Sequence, residues 1–162
     1  MSERRALILG SAVAAILVGC FGLSFFFVWS GDLRHMAVFV EELLILAMLP
    51  TVIAATISCA WVSESKRFKE RSHFSNALRI CLLAYPLLFF ALLATIWGWL
   101  QFNRYLPPYE RPGSLLAMAT TAARYTVLAF VVGFLPAVLV EYSVIRIARR
   151  RLGAIASMGA SL

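Results

Sequence analysis

The residues of this chain that could do chemistry are the few ionisable side chains within or at the ends of long apolar runs. They are three acids and two arginines: Glu41, Glu42, Glu141, Arg79 and Arg124. An ionised side chain at the centre of a bilayer costs at least about 2.5 to 3.5 kcal/mol, so such residues pair with one another or handle protons and ions. The sequence therefore predicts intramembrane ion pairs or a transport site.

The positions of these residues along the apolar runs suggest which of them could meet. Glu41 and Glu42 begin one run, and Arg124 stands at the same end of another; Glu141 and Arg79 stand near the opposite ends. We therefore expect one cross-helix ion pair between Glu41 or Glu42 and Arg124, and a second between Glu141 and Arg79. The alternative is that Glu141 or Glu41 binds a proton or a cation. Positions near helix ends favour the ion pairs, since long side chains there can reach toward water.

Other reactive residue types form no recognisable site. Cys20, Cys59 and Cys81 are widely spaced, so the chain has no C-x-x-C redox pair. The two histidines, His35 and His73, fall on opposite sides of the membrane in the topology predicted below, so they could not share a haem or a metal ion. We therefore predict no enzymatic activity, no cofactor and no metal site.

The elements that hold these residues follow from the composition. Of 162 residues, 62% are hydrophobic and 14% are charged, whereas charged residues make up about a quarter of a soluble domain. A helix needs about 20 apolar residues to cross the hydrocarbon layer. The chain has four such runs, which predicts a single all-α integral membrane domain over residues 1–162. We expect four transmembrane helices arranged as two hairpins, at about residues 6–29, 43–63, 80–102 and 125–145.

Positive charge predicts the orientation. A basic loop at 63–79 separates the two hairpins, and this loop and the two termini together hold eleven of the fifteen Lys and Arg residues. Short loops rich in these residues stay in the cytoplasm, so we expect both termini to be cytoplasmic, in a bacterial inner membrane. Basic residues near a membrane surface also attract anionic lipid. The loop residues expected to make this contact are Lys66, Arg67, Lys69 and Arg71. The basic residues are not interleaved with aromatic residues on one face, so no nucleic-acid binding is expected.

Three features leave alternatives open. The segment 114–123 either lies at the membrane interface or extends the last helix. Residues 17–20 (L-V-G-C) resemble the lipobox of bacterial lipoproteins, but the apolar residues that follow favour an uncleaved helix over a processed, lipidated Cys20. Residues 48–53 resemble residues 134–139 around a shared proline, a similarity that either a duplicated hairpin or chance recurrence explains.

Small residues predict how such a protein would act. Ser11, Ala15, Gly19 and Gly22 form a ridge on the first helix, and ridges of this kind let helix backbones approach closely in lipid. We therefore expect an accessory, assembly or interaction subunit whose partners are the bilayer and either another membrane protein or further copies of itself. The alternative is an oligomeric small transporter or channel that uses Glu141 or Glu41 as its proton or cation site.

Overall fold

The regular structure of the described residues is entirely helical. The computed structural model describes residues 3–30, 48–102 and 114–159, so Glu41 and Glu42 lie outside it. Four α-helices follow in chain order, with a short 3-10 helix at Lys66–Phe68 between the second and third: α1 Glu3–Ser30, α2 Leu49–Glu64, α3 His73–Phe102 and α4 Leu115–Gly159. The helices α1, α3 and α4 are long and apolar enough to cross a membrane, and α2 is a shorter apolar helix. At this level, the prediction of an all-α membrane protein is confirmed.

The four helices form a ring in which each packs against two neighbours. The order is α1, α2, α3 and α4, and α4 closes the ring against α1. At one end, Leu7, Cys59, Ile80 and Ile145 bring all four helices into one core cluster. Further along, a second cluster joins α2, α3 and α4. The ring therefore has an interior that side chains from every helix can reach.

Two helices extend beyond their predicted bounds. The helix α3 begins at His73 rather than at 80, because the Ser72 hydroxyl accepts a hydrogen bond from the Ser75 N–H at 3.2 Å and caps the helix start. The basic loop therefore shrinks to residues 65–72. The helix α4 includes residues 115–123, which is the extended-helix alternative, and it continues to Gly159 rather than ending at about 145. Its start is capped in the same way, by a 3.2 Å bond from the Ala117 N–H to the Ser114 hydroxyl.

Small residues on α1 allow close contact with both of its neighbours. A Cβ atom at Gly10 would collide with the Val144 side chain of α4, and one at Gly19 would collide with the Met48 sulfur next to α2. Ser11 and Ala15 are buried on the same helix. Val144 is β-branched and stiff, so a side chain at Gly10 would push α1 and α4 apart. At Gly19 the flexible end of the Met48 side chain could move aside instead.

Polar contacts tie the helices together at the end of the bundle that contains residues 65–72, here called the loop end. Arg4 of α1 forms an ion pair with Glu64 at the end of α2. The buried loop residue Phe68 accepts hydrogen bonds at its carbonyl oxygen from Asn76 and from Arg149, each 2.8 Å long. The Arg149 guanidinium also lies over the Phe68 ring, 5.0 Å from its centroid. The start of α1 and the C-terminal part of α4 therefore both lie at the loop end.

Candidate functional sites in the helix bundle

Glu141 is a buried acid in the interior of the ring. Only 4% of its surface is exposed, and its Oε1 atom has no hydrogen-bond partner among the described residues. The Ser11 side chain lies near the carboxyl group, and its hydroxyl donates a 3.4 Å hydrogen bond to the Ala55 carbonyl oxygen of α2. The Cys59 and Cys81 thiols are close enough to interact with it electrostatically. All four helices thus contribute one polar side chain to this cluster, here called the Glu141 cluster.

The Glu141 cluster lies well inside the bundle. Ser11 follows Arg4 by seven residues, and Glu141 precedes Arg149 by eight. With a helical rise of 1.5 Å per residue, these intervals place the carboxyl group about 10 to 12 Å from the charged contacts of the loop end. About two helical turns therefore separate the acid from the charged contacts of the loop end.

The structure does not bring Glu141 and Arg79 together as the predicted ion pair. Arg79 is exposed and lines a groove between α2 and α3. It precedes Cys81 by two residues, about 200° around a helix with 3.6 residues per turn. Because Cys81 faces Glu141, Arg79 faces away from it. Within residues 3–30, 48–102 and 114–159, the ion pair that does form joins Arg4 to Glu64.

Arg124 lies deeper along the bundle than its predicted place at the outer end of a helix. Two residues before it, Ala122 is fully buried in a cluster with Leu88 and Leu92 of α3. The end of α3, at Phe102, is ten residues beyond Leu92, which is about 15 Å further from the loop end at 1.5 Å per residue. Arg124 is therefore level with the apolar middle of α3, inside an apolar stretch of α4 that spans Leu115–Arg150. It is exposed and forms no ion pair with any described residue.

The face of α4 that includes Arg124 is buried in one half of the helix and exposed in the other. Residues seven apart share a helix face. Toward the loop end, Val138 and Ile145 are 3% and 0% exposed, whereas Val131, on the same face, is 74% exposed. Pro136 lies inside the helix at the change, and proline kinks a helix. The uncovered part consists of Thr120, Arg124, Val127 and Val131 and is here called the exposed seam.

The basic residues of the loop divide into two groups. Arg67 and Lys69 are exposed, whereas Arg71 is half-buried and lines the same groove as Arg79. Lys66 begins the 3-10 helix, and its side chain lies outside the described set. Arg149, interpreted from the sequence only as topological charge, is instead bound to the Phe68 carbonyl oxygen. A hydrogen bond to the backbone of a distant loop leaves no signal in the sequence pattern.

Comparisons with protein-family models, with curated proteins and with solved structures find no match to this chain. Function must therefore be argued from geometry. In the part of the chain that the structure describes, no group of three His, Cys, Asp or Glu side chains could hold a metal ion. Two features remain as candidate sites: the Glu141 cluster, which can exchange a proton, and the exposed seam, which can pack against another helix.

Proposed function

We propose that this protein is a non-enzymatic accessory, assembly or interaction subunit of a bacterial inner membrane, and that it docks a partner helix on the exposed seam. One observation supports this most directly. Arg124 is exposed level with the apolar part of α3, on a helix face that belongs to the core closer to the loop end. A face built for helix packing, with a charge on its uncovered half, fits a docking surface for a partner helix.

The energetics favour a partner with an acidic residue. An arginine at bilayer depth costs about 2.5 to 3.5 kcal/mol on insertion scales. An Asp or Glu at the same depth on the partner would offset that cost and would also select the correct partner. Thr120 is exposed, and Ala123, about one helical turn further along α4, is small. A partner backbone could therefore approach closely there.

The described acids favour another membrane protein over a second copy in the same orientation. Glu3, Glu64, Glu70 and Glu141 all lie at or toward the loop end of the bundle. A parallel copy would therefore bring none of these four acids to the level of Arg124. The predicted partners of Arg124, Glu41 and Glu42, lie outside the described residues, so their ion pair with Arg124 stays a prediction. The docking proposal instead places the matching carboxylate on a transmembrane helix of a different protein.

The proposed orientation places the loop end in the cytoplasm, with the chain arranged as two hairpins. Eleven of the fifteen Lys and Arg residues lie in the segments 1–5, 63–79 and 146–151, and positive charge of this kind stays inside. The contacts from Arg4 to Glu64 and from Arg149 to Phe68 are consistent with both termini on that side.

Site-specific photo-crosslinking in the native membrane tests the docking proposal. A photoreactive amino acid at Val127 or Val131 should form an adduct with one membrane protein, and Arg124→Leu should reduce that adduct at least fivefold. The matched control position is Phe90 of α3, which is 63% exposed and lies at a similar depth. Equal adducts from Phe90, or adducts that Arg124→Leu leaves unchanged, would contradict the proposal.

A second candidate function is supported by the Glu141 cluster. A buried carboxyl with an unpartnered oxygen is suited to bind and release a proton in an oligomeric small transporter or channel; Glu41, outside the described residues, is the other candidate acid. Under this alternative, Glu141→Gln abolishes proton-coupled flux in liposomes while the protein remains folded. Under the docking proposal, the same variant forms its crosslinked adduct normally.

A further inference from the structure

A groove between α2 and α3 opens near the loop end. It combines two arginines, Arg71 and Arg79, with apolar side chains that include Trp61, Leu82 and Leu83. The groove is on a different part of the bundle from the exposed seam, which is on α4. Neither the helix core nor the docking proposal uses these two arginines.

The two arginines are available to bind an anion. Arg79 is exposed, Arg71 is half-buried, and neither forms an ion pair with a residue in the described ranges. The planar guanidinium group binds phosphate oxygens through two parallel hydrogen bonds, which a lysine cannot do. Two arginines that line one groove therefore suit a phosphate group.

The apolar part of the groove lies on the membrane side of this charge. Leu82 and Leu83 are 50% and 38% exposed, and they follow Arg79 by three and four residues, about one helical turn or 5 Å deeper. Trp61 is 63% exposed, and tryptophan concentrates at the level of lipid headgroups. Charge followed by apolar surface matches a headgroup followed by an acyl chain.

We propose that this groove is a binding site for an anionic phospholipid of the adjacent leaflet. Arg71 and Arg79 bind the headgroup phosphate, and one acyl chain lies along Leu82, Leu83 and Trp61. This is a defined site, distinct from the general attraction of anionic lipid to Arg67 and Lys69. Binding at such a site requires both the headgroup phosphate and an acyl chain of the same lipid molecule.

Native mass spectrometry of the purified full-length protein with added phosphatidylglycerol tests this site. The test variant is Arg71→Gln/Arg79→Gln, and the matched control is Arg67→Gln/Lys69→Gln, which removes the same charge outside the groove. The protein in detergent is mixed with phosphatidylglycerol and washed in about 0.5 M ammonium acetate before the spectrum is recorded, because exposed charges more than a few ångströms apart are screened at that ionic strength. We expect the groove variant to retain at least tenfold less phosphatidylglycerol than the native protein, and the control to stay within twofold of it.

Two results would overturn the proposal. Equal loss in both variants would mean diffuse attraction by the basic loop. Complete displacement by an equal concentration of glycerol 3-phosphate would mean that the groove binds free phosphate and that the acyl chain contributes nothing. A Leu82→Ala variant checks the apolar half separately: it should weaken retention of phosphatidylglycerol and leave glycerol 3-phosphate binding unchanged.

Discussion

At the scale of single residues, the burial of Glu141 is the central chemical fact of the molecule. A charge taken out of water needs a partner, and removing the partner of a buried charge typically costs about 3 to 5 kcal/mol. Glu141 has the Ser11 hydroxyl nearby but no ion pair with any described residue. Its Oε1 atom also has no hydrogen-bond partner among the described residues, so nothing in the described bundle offsets a charge at this position.

The first prediction is that exchanging the charges of Glu141 and Arg79 produces no rescue. Glu141→Arg should lower the free energy of unfolding by at least about 3 kcal/mol, because it buries an unpaired cation. Arg79→Glu should change it by no more than about 0.5 kcal/mol, because the side chain is exposed. In the double variant the two effects should add to within about 0.5 kcal/mol.

These stabilities can be measured by unfolding in mixed micelles. A coupling energy above about 1 kcal/mol between the two positions would show that they interact after all. Glu141→Gln is the matched neutral variant, and it should be far less destabilising than Glu141→Arg.

The second prediction concerns Arg149, which binds the carbonyl oxygen of Phe68 and covers its ring. Arg149→Gln should release the 65–72 loop at a cost of about 1 to 2 kcal/mol, since it removes a hydrogen bond from a charged donor and a cation–π contact. That cost corresponds to a factor of about 5 to 30 in the population of the open loop. Trypsin should therefore cut the loop correspondingly faster.

The control for this prediction is Arg150→Gln. Arg150 is the exposed neighbour and has the same charge, so its loss should leave the cleavage rate within about twofold of the native rate. If both variants were cleaved equally fast, net charge would be responsible rather than the contact to Phe68.

At the scale of helices, close packing of α1 against α4 depends on the glycine at position 10. The third prediction is that Gly10→Ala lowers the free energy of unfolding by about 1 to 3 kcal/mol, the usual cost of overpacking. Its methyl group would collide with the Val144 side chain. Adding Val144→Ala should restore most of the loss, because it removes the colliding group.

Gly98 is the matched control for Gly10. A Cβ atom at Gly98 would meet nothing within 4 Å, so Gly98→Ala should be neutral, or stabilising by up to about 1 kcal/mol through helix propensity. Equal losses at Gly10 and Gly98 would contradict the packing argument, and so would a Gly10 variant that Val144→Ala fails to rescue.

The helices also show what the sequence could and could not predict. Apolar length predicted membrane-crossing helices and located Glu141 and Arg124 as the unusual residues, because both properties follow from composition along the chain. Which face of a helix a residue occupies depends on the packing of its neighbours. The position of Arg79 along its helix was therefore compatible with an ion pair to Glu141, but its side chain is on the face of α3 that points away from Glu141. The cap at Ser72 and the change of buried face near Pro136 likewise depend on tertiary contacts.

At the scale of the whole molecule, the ring of four helices leaves two distinct surfaces for partners. The groove with Arg71 and Arg79 opens near the loop end, and the exposed seam is further along α4, beyond Pro136. In between, the interior holds Glu141. Because the three places are separate, the proposed lipid binding, the proposed helix docking and the alternative of proton exchange can be tested one at a time by single or double substitutions.

Native mass spectrometry of the tagged protein, extracted gently from its own membrane, tests the docking proposal most directly. We predict a stoichiometric complex with a different membrane protein. The Arg124→Leu variant should lose this complex. The Arg150→Gln variant, which removes an exposed arginine near the loop end, should keep it. A protein that is found only as a monomer or as a homo-oligomer, or a complex that Arg124→Leu leaves intact, would contradict the account.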